Sequence, residues 1–278
     1  MKATKGCTAA DSLRVGFLGV GKMGGAILAS LISGKAIKAK NAYICDASSA
    51  RVKELSTKYR VRASDVAEVT RECDVVFLGV KPQDLALVID SIPDENYSKP
   101  LFISIAAGRK MEWLEARMPK ARIIRVMPNL AVSVGLGMSG YCGGARVRKM
   151  DLNLAAKLLN CTGKAALVSE DQLDAVTALS GSGPAFISYA LMAMINGGIE
   201  LGLEENIATE FAIQTMLGTA TVLSEEYENV EDFIKAVTSS KGTTEAGLSV
   251  LDKSAFSNTM KRALVAAARR SKELSKLS

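Results

Sequence analysis

The sequence predicts an α/β fold in which a doubly wound parallel sheet is followed by an all-helical domain. Short apolar runs rich in β-branched residues alternate with helical periodicity over residues 1–168, as in sheets that are covered on both faces. A glycine-rich turn joins the first apolar run to the first helix. Over residues 169–278 the apolar residues recur almost entirely at helical spacing. We therefore expect two domains with a boundary near residue 168.

The strands and helices of the first domain follow one another in regular order. Apolar strands are predicted over residues 14–20, 42–45, 73–82, 100–108, 121–129 and 164–168. Helices are predicted directly after the glycine turn and over residues 51–59, 82–89, 111–118 and 152–160. Because strands that are buried on both faces carry continuous apolar runs, this alternation predicts parallel strands joined by helices.

The second domain is predicted to contain only helices. They are expected over residues 171–179, 184–203, 205–226, 230–237, 244–251 and 256–274. The segment 184–203 approaches the length of a membrane span, but Asn196, Glu200 and two consecutive glycines interrupt it. We therefore expect a buried helix there and no membrane partner.

The composition excludes several classes of function. The chain has 278 residues and a net charge of +6, and its basic residues form no stripe interleaved with aromatic residues, so we expect no nucleic-acid partner. It contains no histidine, which excludes a Ser-His-Asp triad and histidine-ligated metals, and we predict no metal site. The five cysteines show no C-x-x-C spacing, which predicts free thiols in a reducing compartment. Residues 1–13 carry no signal-like apolar core and are expected to form a loose tail, so we predict a cytoplasmic protein.

The glycine turn carries the pattern G-x-G-x-x-G at Gly19, Gly21 and Gly24. It follows a predicted strand and opens a predicted helix, which is the context in which this pattern binds a dinucleotide in a Rossmann-type sheet. The first glycine permits the tight turn, the second lets a pyrophosphate approach the backbone, and the third lets helix and strand pack closely. The alternative is a glycine turn with a structural role only.

The end of the second predicted strand bears on the choice of cofactor. Asp46 lies 22 residues beyond Gly24, and an acidic residue at about 20 residues fits the ribose 2′-hydroxyl of NAD and repels the 2′-phosphate of NADP. Ser48, Ser49 and Arg51 follow at once and could hold a phosphate. NADH is therefore favoured and NADPH stays open. Asp46 could instead be the N-cap of the next helix.

Six segments of the chain match one family in their order and spacing. They are "FLGVGKMGGAI" at 17–27, "VKPQ" at 80–83, "SIAAG" at 104–108, "RVMPN" at 125–129, "DAVTALSGSGPAFI" at 174–187 and "VTSSKGTTEAG" at 237–247. From Arg14 to near the C-terminus the chain resembles the pyrroline-5-carboxylate reductases, and the blocks "SGSGPA" and "GTT" are far more specific than the glycine turn. The resemblance implies a Rossmann domain, a helical domain through which two subunits dimerise, and NAD(P)H-dependent reduction of a cyclic imine to L-proline.

The resemblance also implies which residues bind the cofactor. They are Gly19, Val20, Gly21, Lys22, Met23, Gly24, Val80, Lys81, Pro82, Ala106, Ala107, Gly108 and Asn129. Asp46 and Ser48, at the end of the second predicted strand, complete the predicted set. These residues follow the ends of predicted strands, where ligands lie in open α/β sheets. The prolines at 82 and 128 are also compatible with ordinary strand termination.

The stretch "SSKGTT" at residues 239–244 is the substrate loop that the resemblance implies. In the family, the helix that begins there holds the substrate carboxylate on its backbone N–H groups, as a helix N-terminus can. The resemblance makes Thr244 the catalytic hydroxyl near the imine nitrogen and adds Ser239, Lys241, Gly242 and Thr243 as substrate contacts.

The loop also departs from the family, which usually reads S-P-G-G-T-T. Ser240 replaces the proline, Lys241 replaces the first glycine, and Glu245 stands where the family is usually apolar. If that glycine adopts a left-handed conformation, Lys241 is strained. The departures leave the shape of the loop, and so the choice of substrate, open.

Three functions are weighed on this basis. The first is reduction of pyrroline-5-carboxylate by a homodimer or a larger assembly of dimers. The second is a related imine or hydroxyacid dehydrogenase. Hydroxyacid dehydrogenases of this architecture use a lysine in the first helix after the Rossmann domain, however, and the helix from Pro184 carries none. The third is a non-catalytic dinucleotide-sensing protein, which would leave the hydroxyl-rich loop unexplained.

Overall fold

The computed structural model describes residues 12–277 and their side chains as far as Ser275. Of the predicted tail, only Ser12 and Leu13 fall within the described residues. The chain divides into two compact units. One unit runs to Gly181 and includes the chain again from Ala267, and the other is Ser182–Ala266. The domain boundary near residue 168 stays a prediction.

A single sheet organises the first unit. Within the described residues its strands are β1 (Val15–Leu18), β2 (Ala42–Cys45), β3 (Arg62–Ala63), β4 (Val75–Leu78), β5 (Leu101–Ser104), β6 (Arg122–Met127), β7 (Gly137–Gly143) and β8 (Gly163–Leu167). Their order is β3-β2-β1-β4-β5-β6-β7-β8, so the order reverses between β1 and β4. Such a reversal is the topological switch point at which open α/β sheets bind ligands.

The strands from β1 to β6 pair in parallel, as predicted. β7, which the sequence did not predict, runs antiparallel to β6, and β8 runs parallel to β7. Glycines interrupt the apolar run of β7 because its neighbours pack directly on its backbone. A Cβ on Gly140 would lie 2.8 Å from Cγ1 of Val176, and a Cβ on Gly137 would lie 2.3 Å from Cγ1 of Val132.

Helices cover both faces of the sheet. They are α1 (Lys22–Ser33), α2 (Ser49–Tyr59), α3 (Val66–Glu72), α4 (Leu85–Asp90), α5 (Met111–Arg117), α6 (Lys149–Asn160) and α7 (Leu173–Val176), which continues into a π-helical turn over Thr177–Gly181. Successive residues of β1 point to opposite faces of the sheet: Phe17 belongs to one buried cluster and Leu18 to another. Phe17 also stacks on Phe77 of β4, with ring centroids 4.9 Å apart. The sheet is therefore doubly wound, as predicted.

The second unit is helical, as predicted. It contains α8 (Gly183–Glu200), α9 (Glu205–Glu226), α10 (Val230–Ala236), α11 (Thr243–Lys253) and the start of α12 (Phe256–Leu277). The bounds of α9 are those that the sequence predicts. A Cβ on Gly198 would lie 3.2 Å from the Cβ of Ala208, so this glycine lets α8 and α9 approach closely.

The expectation that α8 is a buried helix is wrong for the single chain. Its side chains Ile187, Tyr189 and Met192 are 54%, 71% and 49% exposed. α8 is apolar around most of its surface, and the other helices of the unit cover only part of it. By length and composition alone, the segment Glu170–Glu200 could also cross a membrane, which is weak support for a span. An uncovered apolar helix needs a partner surface.

The cysteines differ in part from the prediction of free thiols. Cys45, Cys73 and Cys142 are free, as predicted. Cys161 is disulfide-bonded, so the prediction is wrong there, and Cys7 lies outside the described residues. Burial raises the pKa of the Cys73 thiol to about 12 and the pKa of the Cys142 thiol to about 11. Both buried thiols therefore stay protonated in neutral solution.

Candidate dinucleotide and substrate sites

The turn between β1 and α1 requires two of its glycines. Gly19 has a left-handed φ of +95°, and its N–H donates to the carbonyl of Cys45 at 2.8 Å. A Cβ on Gly19 would lie 2.5 Å from the backbone nitrogen of Val80. A Cβ on Gly24 would lie 2.3 Å from the carbonyl oxygen of Gly19. The first glycine therefore permits the turn, and the second permits the close packing of α1 on β1.

Gly21 opens onto free space. A Cβ at this position would meet no heavy atom of the described chain within 4 Å. Gly21 is the N-cap of α1, and within residues 12–277 no side chain accepts a hydrogen bond as its cap and no acidic residue stands in its first turn. The N–H groups of a helix N-terminus and the helix dipole favour an anion there. This open turn fits the pyrophosphate of a dinucleotide.

A cleft of about 480 Å³ lies at the carboxyl ends of β1, β2 and β4. It is lined by Leu18, Gly19, Gly21, Cys45, Asp46, Ala47, Val66, Gly79, Val80, Lys81, Asp84 and Val88. The cleft coincides with the reversal of strand order between β1 and β4. The fold thus brings five of the predicted cofactor residues together: Gly19, Gly21, Asp46, Val80 and Lys81.

Asp46 braces the glycine turn from the end of β2. Its Oδ2 accepts a hydrogen bond from the N–H of Val20 at 2.7 Å, and its Oδ1 accepts one from the N–H of Ser48 at 2.9 Å. The alternative role of Asp46 as a helix N-cap is wrong, because Ser48 is the N-cap of α2 and accepts from the N–H of Arg51 at 3.3 Å. Asp46 still lines the cleft, so its charge faces the space that a ribose would fill.

Two of the three candidates for holding a 2′-phosphate, Ser48 and Arg51, are already engaged, and the third, Ser49, is exposed at the first position of α2. The side chain of Ser48 caps α2. The Nε of Arg51 donates to the carbonyl of Val20 at 3.1 Å, and its Nη1 forms an ion pair with Glu54 at 2.8 Å. An added phosphate would have to compete with Glu54 for this guanidinium.

The remaining predicted cofactor residues lie on neighbouring elements of the first unit. Lys22 is exposed at the first position of α1, and Met23 packs against the hydrophobic core. Pro82 follows β4, and Ala106–Gly108 follow β5. Asn129 follows β6 and accepts a hydrogen bond from the N–H of Met138 at 3.1 Å, so its side chain also holds the start of β7.

The substrate loop lies in the second unit, between α10 and α11. Gly242 is the N-cap of α11, and Thr243 and Thr244 stand exposed in its first turn. A Cβ on Gly242 would lie 3.0 Å from the carbonyl oxygen of Ser239, so the backbone leaves little room for a side chain at this position. The loop therefore presents hydroxyl groups and the N–H groups of a helix N-terminus on one segment, which is a chemistry suited to a carboxylate.

Lys241 adopts the strained conformation that its replacement of a glycine predicts. Its φ is +57°, in the left-handed region, which costs a residue with a Cβ about 1 kcal/mol. The N–H of Lys241 donates to the side-chain carboxylate of Glu245, one turn into α11. The sequence marked Glu245 as a departure but assigned it no role. A glutamate at the third helical position is a signal for such a brace.

The predicted cofactor residues thus lie in the first unit and the predicted substrate residues in the second. Within the described residues, no group of three or more histidine, cysteine, aspartate or glutamate side chains could hold a metal ion.

Two protein families match separate parts of the chain. The family described as pyrroline-5-carboxylate reductase dimerisation matches residues 170–274. The family described as NADP oxidoreductase coenzyme F420-dependent matches residues 14–108. The first match covers the helical region, and the second covers the glycine turn and the strands that form the cleft.

Individual relatives match almost the whole chain. The pyrroline-5-carboxylate reductase of Methanosarcina acetivorans is 37% identical over 268 residues, which are 96% of this chain and 99% of the relative. The solved pyrroline-5-carboxylate reductase of Coxiella burnetii is 32% identical, with a TM-score of 0.90 over 95% of this chain and 98% of its own. The pyrroline carboxylate reductase of Plasmodium falciparum, solved with NADP bound, is 27% identical, with a TM-score of 0.84 over 96% of this chain and 100% of its own. By this similarity over nearly its full length, the chain belongs to the pyrroline-5-carboxylate reductase family.

Proposed function

We propose that this chain reduces L-1-pyrroline-5-carboxylate to L-proline with NADH or NADPH, the last step of proline biosynthesis. The observation that carries the proposal is the uncapped N-terminus of α1 behind Gly21, at the point where the strand order reverses. This chain matches the pyrroline-5-carboxylate reductase of Methanosarcina acetivorans over 96% of its length. The NADP bound in the relative from Plasmodium falciparum supports a nicotinamide dinucleotide in the cleft.

The first unit binds and orients the cofactor in this proposal. The free N–H groups at the start of α1 hold the pyrophosphate, and the carboxylate of Asp46 lies beside the ribose of the adenosine half. Val80, Lys81 and the loop after β5 hold the other half. When bound, the reduced nicotinamide supplies a hydride to the imine carbon, while the protein supplies placement.

The second unit binds the substrate and stabilises the charge at nitrogen. The N–H groups at the start of α11 hold the substrate carboxylate. The hydroxyl of Thr244 donates a hydrogen bond to the imine nitrogen, which takes up a proton from water through this hydroxyl as the hydride reaches the imine carbon. Ser239, Gly242 and Thr243 shape this turn. The carboxylate of Glu245 would repel the substrate, but its hydrogen bond from the Lys241 N–H disperses part of that charge.

We also propose that the enzyme is a homodimer, or an assembly of dimers, built on the second unit. Large apolar side chains are exposed on α8 and α9, including Tyr189 at 71% and Phe211 at 66%. Burial stabilises by about 25 cal/mol per Å² of apolar surface, so the burial of these side chains against a second copy of the chain would stabilise a dimer. The match of residues 170–274 to a dimerisation family supports this. We also propose a cytoplasmic location: the free thiols of Cys45, Cys73 and Cys142 support a reducing compartment, whereas the disulfide at Cys161 counts against it.

The direct test mixes the purified protein with pyrroline-5-carboxylate and NADH or NADPH and follows the nicotinamide absorbance. We expect oxidation of the cofactor only when the substrate is present, with L-proline identified by mass spectrometry. Gly21→Val is the negative control. The valine side chain would fill the space left for the pyrophosphate and should abolish turnover. Dinucleotide binding without turnover would instead indicate a sensor, and turnover of other cyclic imines alone would indicate a different imine reductase.

A further inference from the structure

Arg109 ties together two of the loops that the proposed function assigns to the cofactor. It directly follows Gly108 in the loop after β5. Its Nε and Nη2 donate to the carbonyl oxygen of Pro82, in the loop after β4, at 3.1 and 2.9 Å. Two N–H groups from one rigid guanidinium thus converge on a single backbone acceptor, which fixes the separation of the loops as well as their contact.

The only tryptophan of the chain supports this guanidinium. The Cζ of Arg109 lies 4.6 Å from the ring centroid of Trp113, within cation–π range. Arg117 lies over the same ring at 4.9 Å, but its Nη1 binds Asp90 at 2.8 and 3.1 Å and makes no contact with Pro82. The two arginines therefore share the ring but differ in what they hold.

The loop after β4 meets the glycine turn at its first residue, Gly79, three residues before the carbonyl of Pro82 that Arg109 holds. A Cβ on Gly79, at the start of the same loop, would lie 2.5 Å from the carbonyl oxygen of Gly19, so this loop and the glycine turn are in close backbone contact. Arg109 does not line the 480 Å³ cleft. It lines a separate hollow of about 350 Å³ together with Trp113 and Ser275. The side chain therefore reaches the loops of the cleft through the backbone of Pro82.

We infer that Arg109 is a positioning residue for the dinucleotide, which acts by holding the loop after β4 at a set distance from the loop after β5. This inference rests on the proposed function, because that function assigns both loops to the nicotinamide half of the cofactor. The adenosine half is held between the glycine turn and Asp46, at β1 and β2. Arg109 therefore affects the binding of a whole dinucleotide and leaves the binding of an adenosine nucleotide unchanged.

The experiment measures, by isothermal titration calorimetry, the Kd of NADH, NADPH and ADP for the wild type, Arg109→Met and Arg117→Met. We expect Arg109→Met to raise the Kd of the better dinucleotide roughly 3- to 10-fold, the scale of one lost hydrogen bond, with the Kd of ADP unchanged. Arg117→Met is the matched control. It removes the other cation over Trp113 and should leave the Kd values of NADH, NADPH and ADP unchanged. Arg109→Lys keeps a cation but cannot place two N–H groups of a rigid fork on one carbonyl. It should therefore raise the Kd of the dinucleotide as well.

Several results would overturn the inference. Equal Kd values for the wild type and Arg109→Met would do so, as would equal weakening by Arg109→Met and Arg117→Met, which would make packing on Trp113 the cause. Weakening of ADP to the same extent would indicate general damage to the fold. If Arg109→Met does not fold, the same comparison is made with Arg109→Lys, whose full dinucleotide affinity would exclude the tie. A wild type that binds ADP but no dinucleotide would overturn the proposed function together with this inference.

Discussion

The backbone N–H of Lys241 donates a hydrogen bond to the carboxylate of Glu245 and so closes the loop that begins α11. Lys241 is held at a φ of +57°, where a glycine would be free of strain. The two departures from the family pattern are thus in contact: one introduces strain, and the other braces the strained residue. Their effects on the loop should therefore depend on each other.

Glu245→Ala should disturb the substrate loop more in the wild type than in Lys241→Gly. Without the carboxylate, Lys241 has less to hold it in the left-handed region, whereas a glycine remains there without strain. We expect Glu245→Ala alone, and Lys241→Gly alone, to raise the KM for pyrroline-5-carboxylate a few-fold, on the scale of one exposed hydrogen bond or screened charge. Glu245→Gln, which keeps an acceptor, is the control and should stay near the wild type. Strictly additive effects in the double mutant would contradict the coupling.

Thr244→Ala should lower kcat more than it raises KM. A donor that acts mainly when the imine nitrogen gains charge is used in the transition state, so its loss should reduce kcat roughly 10- to 1,000-fold. Thr244→Ser restores a hydroxyl and should recover most of the rate. Near wild-type kcat in Thr244→Ala, together with a catalytically dead Lys241→Gly, would make Lys241 the proton donor and would point to another substrate.

Much of the first unit could be predicted from the sequence, because its strands are continuous apolar runs. β2 has the predicted bounds, and the glycine turn follows from residue spacing alone. β7 was not predicted, because glycines interrupt its apolar run. The side chains of Val132 and Val176 occupy the space that larger residues in β7 would need. β3 and α3 are short, with few apolar residues to mark them.

The contacts at the site could be predicted only in part. Residue types and spacing indicated an anion at the glycine turn and a role for Asp46 in the cleft. They could not indicate that Asp46 also binds the N–H of Val20, because the two residues are 26 positions apart. For the same reason the tie between Arg109 and Pro82 had no signal in the sequence. Such contacts depend on which strand ends become neighbours.

Asp46→Ser should shift cofactor preference towards NADPH. The substitution removes a negative charge from the cleft beside the expected site of a 2′-phosphate, and we expect the NADPH to NADH ratio of kcat/KM to rise about 10-fold, or about 1.4 kcal/mol. Asp46→Asn is the control for the brace, because its side-chain oxygen can still accept from the N–H of Val20. A wild type that already prefers NADPH 10-fold or more would show that Asp46 does not set the preference.

Phe211→Glu should dissociate the proposed homodimer and abolish activity. Phe211 lies on α9 and is 66% exposed in the single chain, so an interface there would have to bury the new carboxylate. Light scattering at low protein concentration should then show a monomer. Leu87→Glu on α4, a side chain that is 73% exposed in the first unit, is the matched control and should leave the assembly intact. An active, monodisperse wild-type monomer would contradict the proposed assembly.

Cys45 should report the occupancy of the cleft through its rate of alkylation. It is a free, half-buried thiol in the cleft wall, and burial raises its pKa, with further contributions from the carboxylates of Asp65 and Asp46. A raised pKa lowers the thiolate fraction at neutral pH, so the reaction with iodoacetamide should be slow at about pH 7 and should accelerate as the pH rises. Bound dinucleotide should cover the thiol and slow the reaction further.

The other free thiols provide the internal comparison for this labelling. Cys73 and Cys142 are buried, with pKa values of about 12 and about 11, so they should react only after unfolding, whether or not a dinucleotide is present. Peptide mass spectrometry then assigns each modification to its cysteine. Protection of Cys45 by the dinucleotide but not by pyrroline-5-carboxylate alone would support the cofactor as the ligand of this cleft. If the dinucleotide binds by calorimetry and Cys45 is alkylated at an unchanged rate, the cofactor does not occupy the space between Gly19 and Asp46, and its assignment to this cleft is wrong.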